Sequence, residues 1–302
     1  MTDWTIIANP VSGGGRGRKA GEAVRSRLSG RGLKANLTFT QGRGDAARIA
    51  SEALASGCRQ FAVCGGDGTV HEAVGVLAGS DAALGIVPCG RGNDLARALG
   101  IPRDVAGAAD VLVSGVARRI DLGRIGDRYF GTVACLGFDS EVARRVFEGR
   151  VPLSGTAGYV WAVLRTLLTY GCPVIRLEGD FGVFKGPVLL AATGNTPFYG
   201  GGMKVTPQAA CDDGLLDVCI VEALSRLAVL RFFPTVFSGR HVHLPSVQMR
   251  RTRSLRVETR EPLWIFADGQ PVCRTPATIE VAERALTVLC PAQIEPALPH
   301  PP

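Results

Sequence analysis

Phe61-Ala62-Val63-Cys64-Gly65-Gly66-Asp67-Gly68-Thr69 is a short apolar strand that breaks into a loop of almost pure backbone around one carboxylate. A helical stretch over residues 70–77 is predicted to follow. Three glycines in four positions permit φ > 0 and let a ligand come within hydrogen-bonding distance, where a Cβ would block it. Amide N–H groups at a helix start attract anions, phosphate above all. Asp67 would repel a bare phosphate, so its presence makes sense if Mg²⁺ or a substrate hydroxyl lies between them. Residues 65–69 therefore point to phosphoryl transfer from a nucleotide.

The surrounding sequence supplies a matching frame. Strand-like runs at 5–8, 35–40, 61–64 and 84–87 alternate with helical faces, one of Ala20, Ala23, Val24 and Leu28, the next of Ala46, Ile49, Ala50, Ala53 and Leu54. That alternation predicts a parallel sheet with covering helices over residues 1–120. Each strand ends in a Gly- or Pro-rich loop, at 9–15, 40–45, 65–69 and 88–94. In open α/β sheets the ligand crevice lies beyond the carboxyl ends of the strands. Beyond residue 120 the texture changes to strands at 129–136, 188–193, 215–221, 254–259, 263–267, 277–281 and 286–290. They predict an antiparallel β domain over 121–290, interrupted by helices at 155–170 and 224–237. A Pro-rich tail, 291–302, is expected to be disordered at its end.

Composition narrows the class. The chain has 302 residues, enough for two domains, and is 46% hydrophobic and 20% charged, as soluble enzymes are. No apolar run of 18 residues exists, and the start lacks the basic head and cleavage site of a signal peptide. Nine scattered cysteines, with no CxxC pair, fit reduced thiols in the cytoplasm better than disulfides or zinc. The net charge of +7 allows anionic partners, namely a nucleotide, acidic lipid or nucleic acid, or reflects a compositional bias toward Arg.

Four further motifs each carry two readings. Asn9-Pro10-Val11-Ser12-Gly13 opens a Gly-rich turn that either cradles phosphate or is a plain tight turn; it lacks the Gly-Lys-Ser/Thr ending of a Walker loop. Gly90-Arg91-Gly92-Asn93-Asp94 brings Arg91 to phosphates and Asp94 to metal-bound water, or else Asn93 and Asp94 simply cap a helix. Asp212-Asp213-Gly214-Leu215 suits a divalent ion or an Asx turn. Asp268-Gly269-Gln270 is a hairpin turn or a carboxylate delivered to the cleft. Eight Arg and one acid between 226 and 260 suit an anionic membrane surface or a solvated strand edge.

Taken in order, these motifs resemble the diacylglycerol kinase catalytic-domain family, in particular the soluble bacterial lipid kinases, with sphingosine and ceramide kinases as more distant relatives. The likeness covers nearly the whole chain and includes Thr40, Ile120-Asp121, Gly194-Asn195 and Gly200-Gly201-Gly202. It implies an α/β nucleotide-binding domain of the NAD-kinase and diacylglycerol-kinase type, a β-sandwich lipid-substrate domain, and ATP in the cleft between them. It also implies γ-phosphate transfer to the hydroxyl of a diacylglycerol-like acceptor at the inner membrane face. No nucleic acid is expected, and a homodimer is allowed. By motif, Asn9, Pro10, Ser12, Gly13, Thr40, Gly65, Gly66, Asp67, Gly68, Thr69, Val70 and His71 would hold ATP, joined by Arg91, Asn93 and Asp94. Asp67 with Asp121 would organise catalytic Mg²⁺ through water. The carbonyls of Ala210 and Leu215, with the Asp213 side chain, would form a separate Mg²⁺ site.

Two departures stand out. The family usually has Thr or Ser at the position of Arg91. It also reads Asp-Gly-Glu where this chain has Asp268-Gly269-Gln270, and that Glu is the proposed base. Gln270 cannot take a proton at neutral pH, so either Asp268 takes that role or base catalysis is weak. NAD kinases and phosphofructokinases share the Gly-Gly-Asp-Gly core, but their Thr-Pro-x-Gly-Ser and Thr-Ile-Asp-Asn-Asp segments are absent. A non-catalytic nucleotide- or lipid-binding protein, or a kinase for a sphingoid or other small alcohol, is the alternative.

Overall fold

The computed structural model describes residues 4–152 and 155–292. The tail expected to be disordered therefore falls, from residue 293, outside the described residues. The first half runs β1 (Trp4–Ala8), α1 (Arg16–Ser29), β2 (Ala35–Phe39), α2 (Asp45–Ala55), β3 (Gln60–Gly65), α3 (Asp67–Leu77), β4 (Ala83–Pro88), α4 (Asp94–Ala98), α5 (Val105–Ser114) and β5 (Val116–Ile125). Strands β2, β1, β3 and β4 lie side by side and parallel. β1, β3 and β4 are almost wholly buried, which explains their unbroken apolar runs. α3 begins at Asp67, three residues earlier than the sequence predicts.

The second half runs β6 (Arg128–Phe130), β7 (Val133–Gly137), α6 (Phe138–Phe147), α7 (Gly155–Thr169), β8 (Val174–Gly179), β9 (Gly182–Gly194), β10 (Leu216–Glu222), α8 (Arg226–Ser238), β11 (Val247–Thr252), β12 (Ser254–Thr259), β13 (Trp264–Ala267), β14 (Gln270–Arg274) and β15 (Ala277–Cys290). These strands form two antiparallel layers. The strand expected at 129–136 is split at Gly131-Thr132, and those expected at 277–281 and 286–290 are one strand with an irregularity between Ala282 and Leu286. β9 belongs to both layers: up to Pro187 it pairs with β8, and from Val188 with β7 and β10.

Side-chain alternation builds the core. Ala134 and Leu136 of β7 and Leu216, Val218 and Ile220 of β10 point between the layers. Val133 and Cys135, with Cys219 and Val221, point outward against α6, α7 and α8. The outer sheet is thus buried on both faces, one by the opposite layer and one by helices. α6 is absent from the sequence expectations, although Phe138, Val142 and Val146 recur at its turn spacing.

The two halves are joined by more than a linker. β15 pairs with β5 along most of its length and then runs parallel to β4 at Thr287 and Val288. Asp121 of β5 is 1% exposed. Its Oδ1 accepts the Arg284 amide at 2.7 Å and its Oδ2 the Gly214 amide at 2.8 Å. Arg284, in the β15 irregularity, has φ 48°. The buried carboxylate therefore pins that irregularity and the turn before β10 to one strand. Asn195, fully buried, adds hydrogen bonds from Nδ2 to the carbonyls of Asp121 and Gly131. Replacing Asp121 with Ala orphans two buried amides and should lower stability by about 2–4 kcal/mol in urea unfolding. Parental stability with total loss of activity would instead place Asp121 in the chemistry.

Candidate functional site

Three strand-end loops meet through backbone contacts. None of Gly65, Gly66 and Gly68 has a left-handed backbone, contrary to the φ > 0 expectation. What the loop requires is space. A Cβ on Gly66 would lie 3.2 Å from the Cα of Gly90, and one on Gly90 would lie 2.6 Å from the Cα of Gly66. Gly13 does need φ 60°, and a Cβ there would strike the Cys89 carbonyl. Arg16, not anticipated from sequence, donates to the carbonyls of Gly13 and Cys89 at 3.2 Å and clamps these loops. Glu72, also unanticipated, accepts the amides of Gly44 and Ala46 and fixes the start of α2.

Asp67 is central. Its Oδ2 accepts the Asn93 amide at 2.8 Å and its Oδ1 the Asp94 amide at 2.7 Å. It thereby caps α4, a role the sequence assigned to Asn93 and Asp94 themselves. Asn93 sits at φ 52° and exchanges two side-chain hydrogen bonds with Gly90, which shapes the loop. Asp94 is freed to reach across the cleft, where its Oδ2 accepts the Gly201 amide at 2.8 Å. Its Oδ1 is buried without a hydrogen-bond partner. Burial, with Asp67 close by, holds the Asp94 carboxyl above its ordinary range.

A cavity of about 470 Å³ opens between the halves. Asp67, His71, Arg91, Asn93, Asp94 and Asp268 supply its polar wall, with Val70 beside them. Val133, Val146, Phe147 and Phe266 supply an apolar wall. Arg43 lines it too and stacks on Phe147 at 4.7 Å. Asp139 of α6 stands on the same wall, and burial pushes its carboxyl up to about 6. Neither Arg43 nor Asp139 was foreseen: Arg43 lies in the 40–45 loop with no motif to single it out, and the helix carrying Asp139 was not expected.

Asp268 closes the polar wall from the second half. Its backbone is left-handed at φ 48°. Oδ1 accepts from the Thr132 amide at 2.9 Å and the Thr132 hydroxyl at 2.5 Å, and Oδ2 from the Gly131 amide at 2.8 Å. His71 Nδ1 lies 3.0 Å from Oδ2. Burial alone would raise this carboxyl, but His71, Thr132 and Gly131 together hold it below the usual range. Conversely, burial pulls the His71 imidazole down, and Asp268 more than offsets this, leaving it above its ordinary value.

Other expected residues lie elsewhere. Asn9, Pro10, Ser12, Gly13 and Thr40 follow β1 and β2 and are not on the cavity wall, and of residues 65–71 only Asp67, Val70 and His71 line it, so Gly65, Gly66, Gly68 and Thr69 lie behind it. Asn9 Nδ2 donates to Thr69 Oγ1 at 3.2 Å, which ties the first loop to α3. Gln270 Nε2 faces Gly68, 3.9 Å from where a Cβ would sit. Asp121 accepts the amides of Gly214 and Arg284 and is not on the cavity wall.

Two carboxylate sets bear on Mg²⁺. Asp213 Oδ1 accepts the Leu215 amide at 3.1 Å, while the Arg251 guanidinium neutralises Oδ2. The side chain of Asp213 is thus shared between the Leu215 amide and Arg251, and among residues 210, 213 and 215 it is the one carboxylate. Asp67 and Asp94 fit a divalent ion: Asp94 Oδ1 is buried with no hydrogen bond, only the Arg97 guanidinium 3.9 Å away, and the Asp67 carboxylate stands beside it, which is what a hydrated cation would satisfy.

Residues 3–125 match the family model of the diacylglycerol kinase catalytic domain. Residues 132–290 match that of the YegS C-terminal NAD kinase beta sandwich-like domain. The chain is 40% identical over 294 residues to a diacylglycerol kinase of Mycobacterium tuberculosis, covering 95% of this chain and 94% of that one. A Bacillus subtilis diacylglycerol kinase is 30% identical over 268 residues, with 88% of each covered. A solved diacylglycerol kinase structure from Bacillus anthracis has the same fold, with a TM-score of 0.74 at 22% identity, covering 96% and 97% of the two chains. The glycine-lined cleft and these full-length likenesses lead to one assignment: the chain belongs to the diacylglycerol kinase family and is a lipid kinase.

Proposed function

We propose that the protein transfers the γ-phosphate of ATP, with Mg²⁺, to the hydroxyl of a diacylglycerol-like lipid. The observation that carries this reading is the two-sided cavity, with carboxylates and glycine loops on one wall and aliphatic and aromatic side chains on the other. The loop amides around Gly65, Gly66 and Gly68 would bind the phosphates, and Arg91 would add a charge-assisted contact. Asp67 and Asp94 would hold Mg²⁺ through water, and the ion would supply charge neutralisation at the transferred phosphoryl group. Phosphoryl transfer depends mostly on such positioning and neutralisation. The walls formed by Val146, Phe147 and Phe266 suit the acyl end of the acceptor.

The lipid would be reached from the cytoplasmic side of the inner membrane. No helix among the described residues is long and apolar enough to cross a bilayer. α7 and α8 instead leave apolar side chains in solvent: Val160, Leu164 and Leu168 on one, Leu227, Leu230 and Phe237 on the other. Arg226 joins the two helices by a hydrogen bond to the Leu168 carbonyl at 2.8 Å. The arginines over 226–260 supply charge for an anionic surface.

Incubating the protein with γ-labelled ATP, Mg²⁺ and a total lipid extract should label a diacylglycerol-type product. Asp67→Asn should reduce labelling to background with unchanged circular dichroism. Absence of any labelled lipid overturns the reading, and full activity of Asp67→Asn overturns the metal role. In vesicle co-sedimentation the protein should prefer phosphatidylglycerol over phosphatidylcholine. The pair Leu227→Asp and Leu230→Asp should weaken binding by about tenfold or more, and unaltered binding removes this face from the membrane contact.

A further inference from the structure

His71 and Asp268 form a partly buried pair drawn from the two halves of the molecule. His71 comes from the second turn of α3, and Asp268 from the turn between β13 and β14. The carboxylate accepts four hydrogen bonds, so its lone pairs are committed and its charge is stabilised. An ionised carboxylate only accepts, so His71 Nδ1 carries the hydrogen of this pair. Nε2 of a neutral ring is then a bare lone pair. It has no hydrogen-bond partner among the described residues, and the ring lines the cavity with its side chain 18% exposed. Gln270, the neighbouring polar group at the Gly68 loop, is a neutral amide and cannot take a proton.

We infer that His71, oriented by Asp268, receives the proton of the acceptor hydroxyl through Nε2. This rests on the kinase reading above. In the step, the acceptor O–H bond breaks as its oxygen bonds to the γ-phosphorus of ATP. The bond from that phosphorus to the β,γ-bridging oxygen breaks, and its electron pair leaves with ADP. The proton passes to Nε2 and from there to solvent. Asp268 is a positioning residue: it fixes the tautomer and stabilises the imidazolium, as the carboxylate of a nucleophile–histidine–carboxylate triad does. Because each half contributes one member of the pair, the base is assembled only where the two halves meet.

The charged groups acting on His71 are Asp268 and Glu72, which raise its pKa, and Arg128, which lowers it. The net direction is upward from 6.5. The base is therefore competent above that raised value and is lost as pH falls through it. The test is the pH profile of kcat for transfer to dioctanoylglycerol in mixed micelles, or to the labelled acceptor found above, at saturating ATP and Mg²⁺. The parent should show an acid limb of unit slope, with its midpoint above 6.5. His71→Asn should lose that limb and about 10²–10⁴-fold of plateau kcat, with little change in KM for ATP. Asp268→Asn should move the limb to lower pH, because the anion that raises His71 is gone. Adding Gln270→Glu to His71→Asn should restore part of the rate, with a limb in the carboxylate range. A His71→Asn enzyme that keeps the parental limb and a kcat within about threefold overturns the inference while the kinase reading stands. If that variant does not fold, a parent rate that is flat across the imidazole range overturns it equally. A parent that labels no lipid removes both.

Discussion

The carboxylate of Asp67 and the two amides it receives hold the site together. The loops after β3 and β4 approach to backbone contact at Gly66 and Gly90, which leaves no room for side chains to link them. One short acid at the start of α3 bridges them instead, capping α4 across a gap of 26 residues in sequence. Hydrogen bonds from amides to a charged acceptor are among the stronger ones in a protein interior. Because Asp67 caps α4, Asp94 does not have to, and its side chain is available to the cleft. The Asp94 oxygen that lacks a hydrogen bond, with only Arg97 3.9 Å away, is thus a consequence of the loop contact and not an isolated oddity.

The same arrangement explains why two halves act as one enzyme. Asp94 reaches Gly201, His71 reaches Asp268, and Asp121 gathers the Gly214 turn and the β15 irregularity. Each is a carboxylate contact, and each spans the change from parallel to antiparallel sheet. The chain then returns through β15, which runs from the sandwich to the edge of the parallel sheet. A cleft built this way has its polar wall preorganised and its apolar wall supplied by α6 and the outer sheet, which is the polarity pattern the proposed lipid acceptor requires.

Much of this was legible in sequence, and the failures have physical causes. The parallel strands were readable because burial on both faces leaves continuous apolar runs bounded by glycine. The sandwich was readable in outline, since Val188–Thr193 and Leu216–Val221 carry the same signature. α6 was not, because its apolar face is narrow and Asp139, Glu141, Arg144 and Arg145 dominate its composition; with it went Asp139 and the Phe147 wall. The glycine loop was read for φ > 0 and for the close approach of a ligand; its backbone is not left-handed, and the close approach the fold shows is that of the Gly90 loop. Long-range partners were out of reach. Nothing local to His71 announces Asp268, and nothing near Asp121 says that its carboxylate is consumed by Arg284. Arg251 is a further case: nothing local to Asp213 announces the guanidinium seated on it.

The most direct test of the central claim is isothermal titration calorimetry of ATP against the parent and Asp94→Asn, with and without Mg²⁺. If Asp67 and Asp94 hold the ion, the parent binds one nucleotide more tightly with Mg²⁺ than without, and Asp94→Asn loses that difference while keeping its Mg²⁺-free affinity. Equal Mg²⁺ enhancement in both proteins would contradict it.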